Sequence, residues 1–266
     1  MDSNKLTMNH DDSIITKDEI RLILEQYRIG KKPLAKLLGW GETTIIRYME
    51  GDTPTSEYSS KLKTILEDPE YYYDLLCKRK HCLTSVAYKK SRNAVLSKIM
   101  ASKLYGVAYY IVNKTKADIC PAYVQYLLYY SQAFYLAFYD REFFQEECVM
   151  NQTHTPYKKL YESMKRCGVN EINIGDDFLL PEDRFFVDDI MDAFFWYGPK
   201  TLTSMMDHEI SEINLVRDRY NNQVLSKDSL KAYFKEILHE YDIKNPKEVG
   251  KYPDRRILEI RNIEVS

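Results

Sequence analysis

The chain has 266 residues, of which 44% are hydrophobic and 29% are charged, so it is long and apolar enough to bury a substantial core. Its net charge of −2 excludes a polycationic protein. Its five cysteines are scattered, contain no C-x-x-C pair and have no zinc-binding spacing, which is typical of reduced thiols.

Charge is distributed unevenly along the chain. Residues 1–98 carry 17 Lys and Arg against 14 Asp and Glu, a net charge of +3, whereas residues 99–266 carry 21 against 26, a net charge of −5. Because DNA attracts positive charge, a nucleic-acid surface is expected in the first part. The polar N-terminus lacks the apolar core of a signal peptide, so we expect a cytoplasmic protein.

The N-terminal segment 1–15 is polar and weakly patterned, and it is predicted to be flexible. A capping box then predicts a helix start, because the Thr16 hydroxyl can accept from the Glu19 N–H while the Glu19 carboxylate reaches back. Gly30 and Pro33 indicate a turn and the start of a second helix.

The stretch from Pro33 to Gly51 has the pattern of a helix-turn-helix, with a short helix, a tight turn and a second helix. Ala35 is small where two helices cross closely. Leu38 and Ile45 are predicted to face the core, and Gly39 can take the positive φ that the turn requires. A helix-turn-helix DNA-binding domain is therefore predicted over residues 16–76.

The second helix of such a unit enters the major groove of DNA. There Arg47 can form a bidentate contact with guanine, Glu42 can accept from cytosine, and a threonine methyl can touch the thymine methyl. Two lysines at the start of the preceding helix suit phosphate. The alternative is that Arg47 and Glu42 are solvated charges of a packing module. The predicted DNA-binding residues are Lys31, Lys32, Glu42, Thr43, Thr44 and Arg47.

The string LAKLLGWGETTIIRYMEG closely resembles the helix-turn-helix of phage-repressor-like and MqsA-like antitoxin regulators. The resemblance implies binding to double-stranded operator DNA, with two copies on a palindrome and hence a homodimer. The cysteine-rich zinc module that precedes this motif in some MqsA-like proteins is missing, so zinc binding is not implied.

Residues 77–92 contain six Lys and Arg and no acid. This segment is predicted to be a basic linker, which either adds phosphate contacts or is simply solvated. The second domain is predicted over residues 93–266, and it begins with a helix at about residues 94–113.

The nineteen residues 121–139, PAYVQYLLYYSQAFYLAFY, contain no charge and are apolar nearly all round a helix. This pattern predicts one buried helix. A membrane-spanning helix is disfavoured because six tyrosines and two glutamines would need hydrogen-bond partners in hydrocarbon. No membrane association is therefore expected.

The string YLLYYSQAFYLA at 126–137, followed by DREFF at 140–144, resembles the signature helix of the Panacea domain, also called SocA-like or GepA-like. The resemblance continues through 156–161 and Tyr197-Gly198 to 207–209. The chain departs from the family at two places. Where the family usually has a Trp and then Gly-Pro-Val before its Leu-Tyr pair, this chain has MNQTHTPY at 150–157. A second departure is Ile213-Asn214, where a Trp commonly follows His-Glu. The resemblance implies direct binding and neutralisation of a protein toxin encoded beside it.

Four further segments carry weaker signals. Residues 147–152 and 171–174 are rich enough in Val and Ile to allow a small β element. The acidic stretch 175–192 is either a site for a basic partner or an exposed helix face. The tail 254–266 is either a late strand or an interaction arm. The predicted fold class is mainly α, with a helix-turn-helix bundle and a larger helical domain.

The sequence contains no nucleotide-binding loop, nucleophile elbow or zinc-protease motif. His208 lies between Asp207 and Glu209, but adjacent helical residues point apart, which favours a structural histidine. We therefore predict no enzyme, no metal and no cofactor. The predicted function is that of a type II antitoxin that represses its own operon. The alternatives are a proteolytic adaptor and a transcriptional regulator without a toxin partner.

Overall fold

The computed structural model of the protein describes residues 14–149, 155–169, 178–218 and 220–265. Within these ranges it contains thirteen α-helices and one two-stranded sheet, which confirms the prediction of a mainly α fold with a small β element. Contacts between residues divide the chain into two compact units, 1–99 and 100–266. The predicted flexible segment 1–15 lies almost entirely outside the described residues.

Within the described residues the first unit contains six α-helices, and four of them begin at a residue whose side chain accepts from a backbone N–H of the first turn. The predicted capping box is confirmed, since the Glu19 N–H donates to Thr16 Oγ1 at 3.2 Å and the Thr16 N–H donates to Glu19 Oε2 at 2.7 Å. Asp68 caps the fifth helix, because its Oδ1 accepts from the backbone N–H groups of Glu70 and Tyr71. The helices are α1 Lys17–Gln26, α2 Lys31–Leu38, α3 Thr44–Glu50, α4 Ser56–Glu67, α5 Pro69–Lys78 and α6 Ser85–Ile99.

Two stacked tyrosines form the centre of the first unit. The rings of Tyr27 and Tyr72 lie 3.8 Å apart between centroids, with an interplanar angle of 13°. The Tyr27 hydroxyl donates to the Ile65 carbonyl at 2.7 Å, and burial raises the pKa of Tyr27 to about 12. The Tyr72 hydroxyl pairs with Ser91 Oγ at 2.6 Å. This last bond ties α6 into the core of the first unit.

The structure differs from the predicted basic linker at 77–92. Helix α5 continues to Lys78, a short 3-10 helix covers Lys80–Cys82, and α6 begins at Ser85 and packs on α5. The predicted single helix over 94–113 is also wrong, because α6 ends at Ile99 and a new helix begins at Lys103. Apolar spacing continues through this break, so periodicity alone does not reveal it.

Gly39 ends α2 with φ of 78°, as the turn requires. We expect Gly39→Ala to lower the free energy of unfolding of the first unit by about 1–2 kcal/mol, because an L residue is strained at positive φ. A Cβ there would also lie 2.6 Å from Arg79 Nη1, which would have to move.

Thermal unfolding of the full chain checks the Gly39→Ala prediction, with Gly41→Ala as the matched control. Gly41 lies in the same turn, and a Cβ there would meet only Thr44 Oγ1, at 3.5 Å. Equal stability of the two variants would show that the left-handed residue does not control the turn.

In the second unit, α8 forms the centre and every side chain from Tyr123 to Ala137 is buried. Helices α7, α9, α10, α11 and α12 all contact it. No helix in the described ranges is both long and apolar enough to cross a membrane. The helices are α7 Lys103–Lys114, α8 Pro121–Tyr139, α9 Lys158–Cys167, α10 Pro181–Phe194, α11 Pro199–Glu212, α12 Lys227–Glu240 and α13 Lys251–Val265.

The small sheet pairs β1 Leu215–Arg217 with β2 Gln223–Leu225 in antiparallel register, and Val149 forms an isolated bridge to Val224. Of the two predicted strand segments, 171–174 and half of 147–152 lie outside the described residues. The tail 254–266, predicted to be a late strand or an interaction arm, is not a strand. It forms α13, because Tyr252 and Ile260 are buried on one side of it, and α13 packs against α11.

Candidate functional site

The two helices and the turn predicted for the helix-turn-helix are observed from Lys31 to Glu50. Helix α2 is followed by left-handed Gly39, the first of five residues that connect it to α3. Ala35 is fully buried where the two helices contact each other, and Leu38 and Ile45 are buried as predicted. Trp40 in the turn stacks on Tyr58 of α4 at 4.1 Å between ring centroids. The turn is therefore held by left-handed Gly39 at its start and by the stacking of Trp40 on α4.

The six predicted DNA-binding residues lie at or near the outer surface of this pair of helices. Thr44 is half-buried at the first position of α3, and the other five are exposed. Lys31 and Lys32 begin α2 and make no ion pair with any residue that the structure describes. Thr43 precedes α3, and Arg47 lies one turn further along the helix. Their role at DNA stays a prediction.

Two ion pairs lie on this surface, and neither was predicted from the sequence. Lys36 Nζ contacts Glu42 Oε1 at 2.9 Å, and its hydrogen bond and charge lower the pKa of Glu42. Arg47 Nε donates to Asp52 Oδ2 at 2.7 Å. All four side chains are about half exposed or more, so solvent screens both ion pairs and they contribute little to stability. A phosphate or base edge can therefore replace either partner at small cost.

Part of the basic run at 77–92 lies beside α2. The short 3-10 helix Lys80–Cys82 packs against α2, and the Arg79 guanidinium lies over Gly39. Lys78 and Lys80 are exposed. The positive surface of α2 therefore continues onto this run, in the same unit, which agrees with the alternative in which the run adds phosphate contacts.

We expect Arg47→Ala to weaken binding to the preferred DNA sequence by about 1–3 kcal/mol, because one bidentate base contact is lost. Fluorescence anisotropy with labelled duplexes at fixed salt measures this. Arg21→Ala is the matched control, since Arg21 is an exposed, ion-paired arginine on α1 of the same unit. Equal affinity of the two variants would contradict the assignment of α3 as the recognition helix.

The second unit contains a buried carboxyl group that the sequence analysis did not single out. Glu209 of α11 is fully buried, and its Oε1 accepts from the Tyr130 hydroxyl at 3.0 Å and from the Tyr252 hydroxyl at 2.5 Å. The Tyr129 hydroxyl faces the same carboxyl, but neither it nor Glu209 Oε2 has a well-formed hydrogen bond. Loss of water around the carboxyl raises the pKa of Glu209 to about 7.

His208 is flanked by two acids in the sequence, and the structure separates the three side chains. Asp207 is exposed, His208 is half-buried and Glu209 is fully buried, so their side chains do not converge. The only sequence signal for Glu209 was its position on α11 with Met205 and Met206, which lie four and three residues earlier and are also buried. Within the described ranges, no group of three or more His, Cys, Asp or Glu is placed to hold a metal ion.

The function of this chain has to be inferred from its residues and geometry. Searches of protein-family models, of curated proteins and of solved structures find no match for the chain. The resemblances to the Panacea domain and to MqsA-like regulators therefore stay predictions.

Proposed function

We propose that the protein is a DNA-binding regulator whose first unit recognises double-stranded operator DNA through α3. The observation that carries this proposal is the pair α2 and α3, joined at left-handed Gly39, with Arg47 directed outward beside exposed lysines. A packing module would not need exposed cations at both the base-reading and the phosphate-facing positions.

Selection of bound duplexes from a random pool, followed by titration with the selected sequence, tests DNA binding. The expected result is a preferred palindromic sequence, bound by two copies, with affinity that falls steeply as salt rises. Lys31→Ala with Lys32→Ala should weaken binding to all duplexes about equally, because phosphate contacts carry no sequence information. Binding without any sequence preference would overturn the proposal.

We further propose that the second unit neutralises a protein toxin encoded by the neighbouring gene, so that the whole chain acts as an antitoxin and represses its own operon. The resemblance of residues 126–137 and 140–144 to the Panacea domain supports this. The large exposed aromatic side chains of the second unit also support a protein partner. The mechanism is occlusion of the toxin's active surface.

Co-expression of the neighbouring gene with the full chain, and separately with residues 100–266, tests neutralisation. Rescue of growth by both, with an unchanged level of toxin, is the expected result. A fall in toxin level that depends on an ATP-dependent protease would instead favour the proteolytic adaptor. If neither form rescues growth or co-purifies with the toxin, only the DNA-binding proposal stands.

A further inference from the structure

Large aromatic side chains are exposed along α10 and immediately after it. Phe185 is 69% exposed, Phe195 46% and Trp196 88%. On a helix, positions 185, 188, 192 and 195 form one stripe, so these aromatics and two aspartates share a face. A folded chain rarely leaves several large apolar side chains exposed on one face without a partner. This stripe is therefore a candidate interaction surface.

Helix α7 runs beside α10, and one polar cluster joins the two helices. The Tyr110 hydroxyl donates to Asp188 Oδ1, and Lys114 Nζ contacts Asp188 Oδ2, both at 2.9 Å. Open hollows of about 500 and 530 Å³ lie on either side of this cluster, and both are lined by Lys114 and Asp188. Trp196 lines the first hollow and Phe185 lines the second. We call the two hollows and the cluster between them the α7–α10 groove.

The charge of α10 indicates the chemistry of the partner. The helix contains five acids and one base. Asp183 is buried against Lys103 at 2.8 Å, and Asp188 is held by Lys114. Asp192 is exposed and lines the same hollow as Trp196 and Lys116, and it makes no ion pair among the described residues. A basic side chain placed between two apolar anchors would complement this arrangement.

We propose that the α7–α10 groove is the surface on which the second unit binds its toxin, an inference that rests on the proposed neutralising function. The toxin would place one large apolar side chain in each hollow, about 16 Å apart given a rise of about 1.5 Å per residue over the eleven residues from Phe185 to Trp196. A lysine or arginine between them would meet Asp192. Because Phe185 and Trp196 project outward, a protein surface can cover both side chains, whereas a small ligand cannot.

The chain contains two tryptophans, Trp40 in the first unit and Trp196 in the groove, which provides a direct test. The full chain is labelled with 5-fluorotryptophan, and Trp40→Phe assigns the two fluorine resonances. Addition of the unlabelled product of the neighbouring gene is expected to shift or broaden the Trp196 resonance and leave the Trp40 resonance unchanged. Tryptophans of the partner carry no fluorine and do not contribute.

Variants of the full chain provide the second readout. Phe185→Ala and Trp196→Ala are each expected to raise the Kd for the toxin at least tenfold, and Asp192→Lys is expected to weaken binding most at low salt. Tyr220→Ala is the matched control, because Tyr220 is an aromatic of the same unit that is 70% exposed outside the groove.

Three outcomes would overturn this inference. In the first, the toxin binds and is neutralised while the Trp196 resonance and the groove variants are unaffected, so the proposed function stands alone. In the second, the Trp196 resonance responds to the concentration of the chain itself, which assigns the groove to a second copy. In the third, the toxin does not bind at all, so the groove and the neutralising function fail together.

Discussion

Glu209→Gln should abolish a pH dependence of stability that the wild-type protein shows between about pH 4.5 and 7. The carboxyl is fully buried in the second unit, and its pKa is raised from 4.5 to about 7. In this window the folded protein keeps a proton that the unfolded chain releases. The free energy of unfolding of the wild type therefore falls as pH rises.

The expected size of this effect follows from the pKa shift. A difference of about 2.5 units between the folded and unfolded states corresponds to about 3 kcal/mol at 1.36 kcal/mol per unit. The stabilising contribution of Glu209 is complete below about pH 4.5 and is lost as pH passes about 7. The groups that face the carboxyl are Tyr129, Tyr130, Tyr233, Tyr252 and Arg256. The tyrosines stay neutral in this range and Arg256 stays charged, so among these groups only Glu209 titrates.

Urea unfolding followed by the near-ultraviolet circular dichroism of the tyrosines, at several pH values, measures the effect. The difference in stability between wild type and Glu209→Gln should change by about 3 kcal/mol from pH 4.5 to 7.5, with glutamine the more favourable at the higher pH. Glu209→Ala is the comparison, because it leaves the Tyr130 and Tyr252 hydroxyls buried without their acceptor and should destabilise at every pH. Parallel pH profiles for wild type and Glu209→Gln would contradict the raised pKa.

The fold was most predictable where short-range chemistry decides the structure. Thr16 and Glu19 cap α1 as expected, and Gly39 takes the left-handed conformation that its place between two helices requires. The nineteen uncharged residues of α8 form one buried helix with the predicted bounds, Pro121–Tyr139. In each case the residues involved are close in sequence, so the local sequence pattern is enough to predict the structure.

The errors fall where a contact distant in sequence decides the structure. The run at 77–92 reads as a linker because it is basic, but Ser91 bonds to Tyr72, nineteen residues earlier, and draws the run into the first unit. Glu209 was noted only as an acid beside His208, but tyrosines from α8 and α13 enclose it. A charge pattern does not show which side chains another element will cover.

At the candidate DNA surface, too, the local features were predictable from the sequence, whereas the contacts across a turn were not. The exposure of Arg47 and the burial of Ile45 follow from helical periodicity, and both are observed. The ion pairs of Arg47 with Asp52 and of Glu42 with Lys36 join residues on either side of a turn, so the path of the turn had to be known first. These pairs orient the two charged side chains in the absence of DNA.

A fragment of residues 1–99 should fold cooperatively, whereas a fragment of residues 1–76, the end of the domain predicted from the sequence, should be largely unfolded. The shorter fragment lacks all of α6, which packs on α5. It loses the Ser91 partner of Tyr72, and it loses Val95 and Leu96, which are fully buried. At about 1.5–3 kcal/mol for each large apolar side chain, the loss is about 4 kcal/mol or more, close to the whole stability of a small domain.

Circular dichroism and thermal unfolding of the two fragments test this expectation, and Trp40 fluorescence reports whether its stack on Tyr58 is retained. A third fragment of residues 1–84 separates the two possible roles of the basic run. It keeps Lys78, Arg79 and Lys80 but lacks α6, so it should be as unstable as the shortest fragment if packing by α6 decides the fold. If it matched the stability of residues 1–99, the basic run itself would complete the unit. The Tyr72 to Ser91 contact would then be a consequence of folding and not one of its causes.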